Sequence, residues 1–382
     1  MAEYAGPYHN TTALADFEGD GDLDVAVVNL RSESETTHWH VITFWTNQGG
    51  GRFTPERIDL GPFLYLSAAS GDVDGDRDDD FAILSVPNLV LYLNQGGAQG
   101  GEKGDYKIGQ SITPQMQHHT PGSVELGDLD GDGNLDAFVA GCCTMSLLKA
   151  DGSISGYSPA LSWVWLNQGA QGGRLASQAV SHAALGDLRI RDAALGDLDG
   201  DGDLDIFAAV LGPQLGERTG HPDRIFLNDG SGTFTDSGER LGSADSSSVA
   251  LGDLDGDGDL DALVGTQQGT QVWSNQGGVQ GGQAGQFSPG QEFKGEGTAA
   301  VFLADLNGDG SLDALHAGVN RATIWWNDGQ GDFTRSYQRF RYSERYALAV
   351  GDFNGDGHPD IFAAAYESDY RVWYNDGEGR FK

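Results

Sequence analysis

Residues Asp253 to Asp261 read DLDGDGDLD, five carboxylates in nine residues set between two apolar runs, SSVALG before and DALVGT after. So many acids side by side repel one another unless a cation lies among them. The same nine-residue frame starts at Asp16 (DFEGDGDLD), Asp72 (DVDGDRDDD), Asp128 (DLDGDGNLD), Asp197 (DLDGDGDLD), Asp305 (DLNGDGSLD) and Asp352 (DFNGDGHPD), which makes seven copies. In each, the first, third, fifth and ninth residues carry side-chain oxygens, and the fourth is Gly, which lets the backbone fold back so that those oxygens converge. Donor sets made of oxygen suit a hard cation with flexible coordination, calcium before magnesium.

A helix–loop–helix calcium hand begins with similar spacing, but it needs a bidentate Glu at its twelfth position and helices on both sides. The twelfth residues here are Val27, Ile83, Val139, Ala208, Val264, His316 and Ala363, none of them acidic. The flanks read as short strands, so each loop caps a β-hairpin. Loops that lead into a helix are excluded for the same reason.

Followed by small and aliphatic strands (DVAVVNL, DAFVAG, DIFAAV, DALVG, DIFAAA), the frame resembles the FG-GAP or VCBS repeat, best known from the propellers of integrin α chains. The resemblance spans the whole chain. It implies an all-β fold, a single seven-bladed β-propeller over residues 1–382 with four-stranded antiparallel blades, and an ion in the first hairpin of each blade. Up to seven calcium ions would be held. The candidate ligands it assigns are Asp16, Glu18, Asp20, Asp22 and Asp24; Asp72, Asp74, Asp76, Asp78 and Asp80; Asp128, Asp130, Asp132, Asn134 and Asp136; Asp197, Asp199, Asp201, Asp203 and Asp205; Asp253, Asp255, Asp257, Asp259 and Asp261; Asp305, Asn307, Asp309, Ser311 and Asp313; and Asp352, Asn354, Asp356, His358 and Asp360. Two positions depart from the family pattern: Glu18 replaces the usual Asp or Asn, and Arg77 replaces the usual Gly, placing a cation beside the second loop.

Length alone would divide 382 residues into two or three domains, but a fixed repeat lets one propeller occupy them all. The net charge is −35, and the seven loops hold 31 of the 57 acidic residues. Seven divalent ions would still leave about −21, so nucleic acid and anionic membrane surfaces are poor partners. Membrane insertion is not expected either, because no apolar run approaches the roughly 18 residues of a spanning helix. The opening MAEYAGPYHN has no apolar leader and is expected to begin a mature domain. Loops tuned by many carboxylates work where calcium is plentiful, which points to a secreted or cell-surface setting, and a monomer is expected. Cys142 and Cys143 provide no disulfide framework and are expected to be reduced, partly buried thiols rather than a strained vicinal disulfide.

Each repeat shows one order of events: a strand, the acidic loop, a second strand, a third ending in Asn-Gln-Gly or Asn-Asp-Gly, and a fourth that often opens Gly-x-Phe. An aromatic stands two residues before the Asn in every copy: Trp45, Tyr92, Trp165, Phe226, Trp273, Trp325 and Trp373. Such a row can stack sugars, but its regularity predicts packing between blades. Asn47, Asn94, Asn167, Asn228, Asn275, Asn327 and Asn375 open tight turns whose glycines supply positive φ. Gly/Gln-rich inserts follow three of them and look like phosphate cradles, yet they join strand to strand without a following helix or Lys. Loop starts are 56, 56, 69, 56, 52 and 47 residues apart. The long interval contains a duplicated AALGDL, and Asp187 in its first copy has lost the other ligands. The Phe-to-loop spacing of 19 residues predicts that Ala2 to Tyr4 joins Gly379 to Lys382 in the last blade, so that residues 2–8 close the ring.

Recognition is expected on the face away from the loops, where connections vary in length. His38, Trp39 and His40, then Tyr157, then Arg218, His221 and Arg224, and finally Arg321 and Tyr370 are the candidates for ligand contact, with Glu367 and Asp369 beside them. Two alternating His without a third ligand fit an ordinary loop better than a metal site. Arg335, Arg339, Arg341 and Arg345 with Tyr346 either recognise carboxylates or offset the negative field. The chain has no Gly-x-Ser-x-Gly elbow, His-Glu-x-x-His, Walker loop or Cys-x-x-Cys. The expected function is therefore a calcium-stabilised adhesion or recognition module for an extracellular glycan or protein. A polysaccharide lyase or hydrolase on the same scaffold, or a structural spacer, is the alternative.

Overall fold

The computed structural model describes residues 12–382 except 35–36, 60–64, 86–87, 97–99, 102–103, 113–118, 145, 149–153, 158–160, 172–173, 182–184, 187, 212–220, 278–280, 296, 319, 343–346 and 365–369. Among the described residues there is no α-helix. The strands form seven antiparallel blades in a ring, a seven-bladed β-propeller. Blade 1 comprises Thr12–Ala15, Asp24–Ser34, Thr37–Asn47 and Phe53–Asp59; blade 2, Tyr65–Gly71, Asp80–Ser85, Asn88–Asn94 and Tyr106–Ile112. Blade 3 comprises His119–Gly127, Asp136–Thr144, Trp163–Gln171 and Arg174–Ser181, with a separate hairpin, Ser146–Leu148 and Ile154–Tyr157, between its second and third strands. Blade 4 is Ile190–Gly196, Asp205–Val210, Arg224–Asn228 and Phe234–Asp236; blade 5, Ser246–Gly252, Asp261–Thr266, Gly269–Asn275 and Phe287–Lys294. In blade 6, Ala300–Ala304, Asp313–Ala317, Arg321–Asn327 and Phe333–Arg335 are joined by Phe340–Arg341, which continues the outer edge. Blade 7 is Ala347–Gly351, Asp360–Ala364 and Tyr370–Trp373, and its outer edge is finished by the C-terminus, Lys382 N donating to Tyr374 O at 3.0 Å and Asn375 bridging Phe381.

The small and aliphatic second strands explain how blades stack. Asp205–Val210 and Asp261–Thr266 are buried at every residue, because each lies between two neighbouring blades and has no solvent face. First strands of successive blades touch one another from blade 7 through blade 1 to blade 6, so they form the inner wall. The buried apolar side chains fall into seven clusters, one at each blade junction, including the junction of blade 7 with blade 1.

The aromatic row supplies the wedge at every junction. Each member packs against the preceding blade: Trp325 stacks on Phe293 with centroids 4.3 Å apart, Trp373 meets Phe340 edge-on at 5.4 Å, and Trp45 lies 6.0 Å from Phe362. Trp45 and Trp165 are fully buried.

A second connection repeats with equal regularity. The side-chain amide of each turn Asn donates twice, once to its own blade and once across the junction to the carbonyl that follows the first Asp of the preceding loop. Asn47 reaches Phe353 (2.8 Å), Asn94 Phe17 (3.0 Å), Asn167 Val73 (2.7 Å), Asn228 Leu129 (2.9 Å), Asn275 Leu198 (2.9 Å), Asn327 Leu254 (2.8 Å) and Asn375 Leu306 (2.9 Å). The first of these bonds joins blade 1 to blade 7, where Thr12 Oγ1 also donates to Leu348 O at 2.9 Å and the Tyr374 hydroxyl to Gly51 O at 2.9 Å. Ala2 to Tyr4, assigned to this junction from the sequence, and Asp187 lie outside the described residues.

Because the amide serves two buried carbonyls, removing it leaves both without a partner. Asn327→Ala is expected to lower stability by about 1–3 kcal/mol in denaturant titration. Asn327→Asp should be worse, since a carboxylate would face carbonyl oxygens; equal stability of the two variants would count against the clasp.

Candidate functional site

The acidic loops all lie on one face, and their local geometry begins with the first Asp. Its carboxylate gathers the amides of the turn: Gly256 N and Asp257 N reach Asp253 Oδ1 at 2.7 and 3.1 Å, and Gly258 N reaches Oδ2 at 3.1 Å. The fourth and sixth residues adopt left-handed backbone, Gly256 at φ 77° and Gly258 at 96°. This explains both glycines of the frame, and it makes Arg77, at φ 77°, the one described non-glycine residue with positive φ.

The ninth Asp is a scaffold as much as a ligand. It is buried, and its two oxygens take two amides: Asp261 Oδ2 accepts from Leu254 N (2.9 Å) and Oδ1 from Asn275 N (2.8 Å). The same pair of bonds recurs in all seven blades, from Asp24 (2.8 and 2.7 Å) to Asp360 (3.3 and 2.8 Å). It ties the loop to the turn that carries the clasping Asn. Seventh-position side chains lie against that turn as well: a Cβ on Gly230 would come within 2.5 Å of Asp203 Oδ2, and one on Gly329 within 2.8 Å of Ser311 Oγ.

Ligand oxygens converge in four loops. One oxygen each from Asp72, Asp74 and Asp80, from Asp128, Asp130 and Asp136, from Asp197, Asp199 and Asp205, and from Asp253, Asp255 and Asp261 lie within 4.8 Å of one another, close enough to hold a metal ion. These are the first, third and ninth positions. Fifth-position carboxylates use one oxygen to receive the amide of the seventh residue, as Asp257 Oδ1 does from Asp259 N at 2.9 Å. Asp257 Oδ2 and Asp259 Oδ2 are buried without a hydrogen-bond partner, which a cation would remedy. The residues therefore fit a bound divalent ion.

Electrostatics vary around the ring. Burial, followed by repulsion from Asp76 and Asp72, raises Asp74 to about 6, and burial with like-charged neighbours raises Asp130, Asp199 and Asp255 too. In the first loop burial and a hydrogen bond to Asp24 push Glu18 up to about 8. The sixth and seventh loops are relieved internally, Asn307 Nδ2 donating to Asp309 Oδ2 (2.9 Å) and Asn354 Nδ2 to Asp356 Oδ2 (3.0 Å). At the ninth position burial raises Asp80, Asp261 and Asp313 to about 7 and Asp136, Asp205 and Asp360 to about 6. Away from the loops, Glu125 and Asp192 stand on adjoining first strands. Burial and the neighbouring Asp192 hold Glu125 well above the carboxylate range, and burial lifts Asp192 to about 6 although Val249 N donates to it at 3.0 Å.

The opposite face carries the connections of unequal length. His38, Trp39 and His40, expected on a connection of the face away from the loops, stand instead on a strand: Asp24–Ser34 and Thr37–Asn47 run on, pairing Leu30 with His40, Arg31 with Trp39 and Ser32 with His38. Tyr157 is likewise on a strand, paired with Ser146. Tyr370 lies in the blade 7 to blade 1 junction, 5.1 Å from Trp45, its hydroxyl accepting from Phe53 N at 3.3 Å. His221 is partly exposed beside Asp223, which is buried and accepts from Val210 N and Ser246 Oγ. Arg218, Arg345, Tyr346, Glu367 and Asp369 lie outside the described residues. Arg321 lines a cleft between blades 5 and 6, with Phe293, Lys294, Gly295, His316, Gly318, Thr323, Trp325 and Arg335. Lys294 had no signal in the sequence, since only the packing of blade 5 on blade 6 brings it to Arg321; His316 arrives by pairing within blade 6, directly opposite Thr323.

A ring of blades with an acidic loop in each first hairpin defines a repeat propeller of the kind the sequence resembles. The chain belongs to the FG-GAP-like repeat family, which matches residues 16–83, 72–139, 209–264, 253–316, 305–363 and 352–382. No curated protein matches the chain. Among solved structures, one similar chain is an Agrocybe aegerita lectin described as recognising non-reducing terminal N-acetylglucosamine: 21% identity, TM-score 0.56, covering 89% of this chain and 86% of the lectin. Another is Sqt1 from Chaetomium thermophilum, 10% identical with TM-score 0.52, covering 94% of each chain. At these identities the likeness establishes the fold.

Raised carboxyl pKa values mean that the folded, cation-free protein holds protons more tightly than the unfolded chain. In chelator, stability should be greatest near pH 4 and fall as pH rises through 6 to 7, where the ninth-position acids ionise; a melting temperature in EDTA that rises over that range would refute it. Asp255→Asn copies the relief seen in the sixth and seventh loops. It should raise the melting temperature in EDTA and weaken divalent-ion binding at that loop, measured by titration calorimetry.

Proposed function

We propose that the protein is a calcium-stabilised recognition module, secreted or displayed at a cell surface, that binds a glycan without turning it over. The observation that carries the calcium part is the convergence of three carboxylates in each of four loops within 4.8 Å. All the donors are oxygen, and three converging carboxylates exceed the one or two that usually hold magnesium, which favours calcium. Extracellular modules of this kind work at the calcium concentrations found outside cells.

The glycan part is supported by the shared fold of the A. aegerita lectin and by the division of labour between faces. Every loop and Asn turn is engaged on one face, so ligand contact falls to the other. No helix among the described residues is long and apolar enough to cross a membrane.

A site that binds calcium only when folded adds about 2.7 kcal/mol at a hundredfold excess over its dissociation constant. Loss of several such sites rivals the whole stability of an ordinary domain. EGTA is therefore expected to lower the melting temperature by about 10 °C or more, with recovery on adding calcium and less on adding magnesium; an unchanged melt would sink the calcium role. On a glycan array, binding should appear in calcium and disappear in EGTA. Capture of a protein partner with no glycan bound would move the ligand to the other class.

A further inference from the structure

We propose that the turn between the third and fourth strands of a blade couples the ion site of its own blade to that of the preceding one, so that calcium in one loop strengthens its binding in the neighbouring loop. This rests on the calcium reading above and specifies how the sites act together.

Blade 5 shows the path. Asp261, the ninth residue of its loop, holds the amide of Asn275 at 2.8 Å. The Asn275 side chain donates to Leu198 O at 2.9 Å, and Leu198 stands between Asp197 and Asp199, the first and third residues of the loop in blade 4. One asparagine and its two hydrogen bonds therefore link the carboxylates that converge in one loop to those that converge in the next. Asn275 Oδ1 also receives Gly285 N at 3.0 Å, which draws the far end of the turn over blade 4. There a Cβ on Gly285 would come within 3.2 Å of Asp199 Cβ. At the near end, a Cβ on Gly277 would collide with the carboxylate of Asp259, the seventh residue of its own loop. The turn is wedged between two ion loops.

The wedge recurs in the blades that follow. In blade 6, Gly329 lies against Ser311 of its own loop, while a Cβ on Gly331 would come within 3.6 Å of Asp255 Cβ in blade 5. In blade 7, Gly377 lies against His358, and a Cβ on Gly379 would come within 3.3 Å of Asn307 Cβ in blade 6. These turns are braced internally, Asp328 Oδ1 accepting from Gln330 N and Asp376 Oδ1 from Glu378 N, both at 3.0 Å. A shift at one end is carried to the other.

Without a cation, the like charges of a loop push its carboxylates apart. Binding in the loop of blade 5 draws them together, Asp261 among them, and fixes the turn that Asp261 holds. The bond to Leu198 O and the contact of Gly285 then steady Asp197 and Asp199, so the second ion meets ligands that are already ordered and binds with less loss of freedom. The coupling is mutual by thermodynamic necessity, and its usual size is a change of about fivefold or more in affinity. Charge alone acts in the opposite sense, because two bound cations repel. Positive coupling is therefore the mark of the turn.

The test is a double-mutant cycle on the full chain, read by calcium calorimetry and by the rise in melting temperature that calcium produces over EGTA. Asp199→Asn and Asp255→Asn weaken the adjacent loops of blades 4 and 5 and reproduce the asparagine found at the third position of the sixth and seventh loops. Each single variant should also weaken calcium binding at the intact neighbouring loop, by about fivefold or more. The double variant should accordingly lose less than the sum of the two single losses. Asp74→Asn combined with Asp255→Asn, in blades 2 and 5 with no shared turn, should lose the plain sum. In an Asn275→Ala background the cycle of blades 4 and 5 should become additive as well; if that variant does not fold in calcium, the contrast between adjacent and separated pairs carries the test by itself. Additive losses in the adjacent pair overturn the proposal. So does a double loss larger than the sum, the result of ion repulsion, or coupling that persists in Asn275→Ala. Calcium binding with additive losses leaves the calcium reading standing, whereas a chain that binds no calcium and melts alike in calcium and EGTA removes both.

Discussion

The buried ninth aspartate of each loop is the point on which the ring depends. One carboxylate there fixes the loop through the amide of its second residue and fixes the outer turn through the amide of an asparagine, as Asp313 does with Leu306 and Asn327. That asparagine then reaches the preceding blade, Leu254 in this case. Loop, turn and junction are thus parts of one hydrogen-bonded chain that runs round the propeller. A disturbance in any loop is felt at the next junction, which gives the loops a structural role whatever ion they hold.

The same carboxylates make the arrangement costly without a counter-charge. Desolvation acts on all seven ninth-position acids, and in the second to fifth loops the third-position acid adds its own repulsion. Where Asn replaces that acid, in the sixth and seventh loops, an amide hydrogen takes the place that a cation would fill. Charge is therefore spread unevenly around a ring whose backbone is nearly uniform. The blades with relieved loops are also those that lead into the junction with blade 1.

Much of the fold was legible because its signals are local. A loop of nine residues, an aromatic two before an Asn, and a glycine requiring positive φ can each be recognised without knowing what lies across the ring. The asparagine's second role could not be, since Asn228 and Leu129 are 99 residues apart and meet only when blades stack. The ninth aspartate was read as a ligand because its spacing matched the others; nothing in the chain signals that both its oxygens already hold amides. RSESETTHWH reads as a connection between the second and third strands, yet strand pairing continues into it, Arg31 opposite Trp39 and Ser32 opposite His38. The third interval, the longest, lies largely in the stretch 140–208 that no family match covers, and an added hairpin after Thr144 accounts for part of its length.

Uniformity and difference are distributed by face, and this governs where specificity can arise. On the loop face each side chain of the frame has a bonded task, so substitution there perturbs the junctions. On the other face the nine-residue frame assigns no such bonds. The outer edge of blade 6 is a case in point: it is interrupted after Arg335 and resumes at Phe340, and the interruption sets the register that opposes Arg341 to Arg321. In a regular blade such as blade 1, whose outer strand Phe53–Asp59 pairs continuously, an acid or a neutral residue faces the third strand at the corresponding rim. Carried straight on, the register of Phe333–Arg335 would oppose Arg339 to Arg321, so the break exchanges one arginine for another and brings Phe340 opposite Ala322, from where it packs edge-on against Trp373 of the next blade.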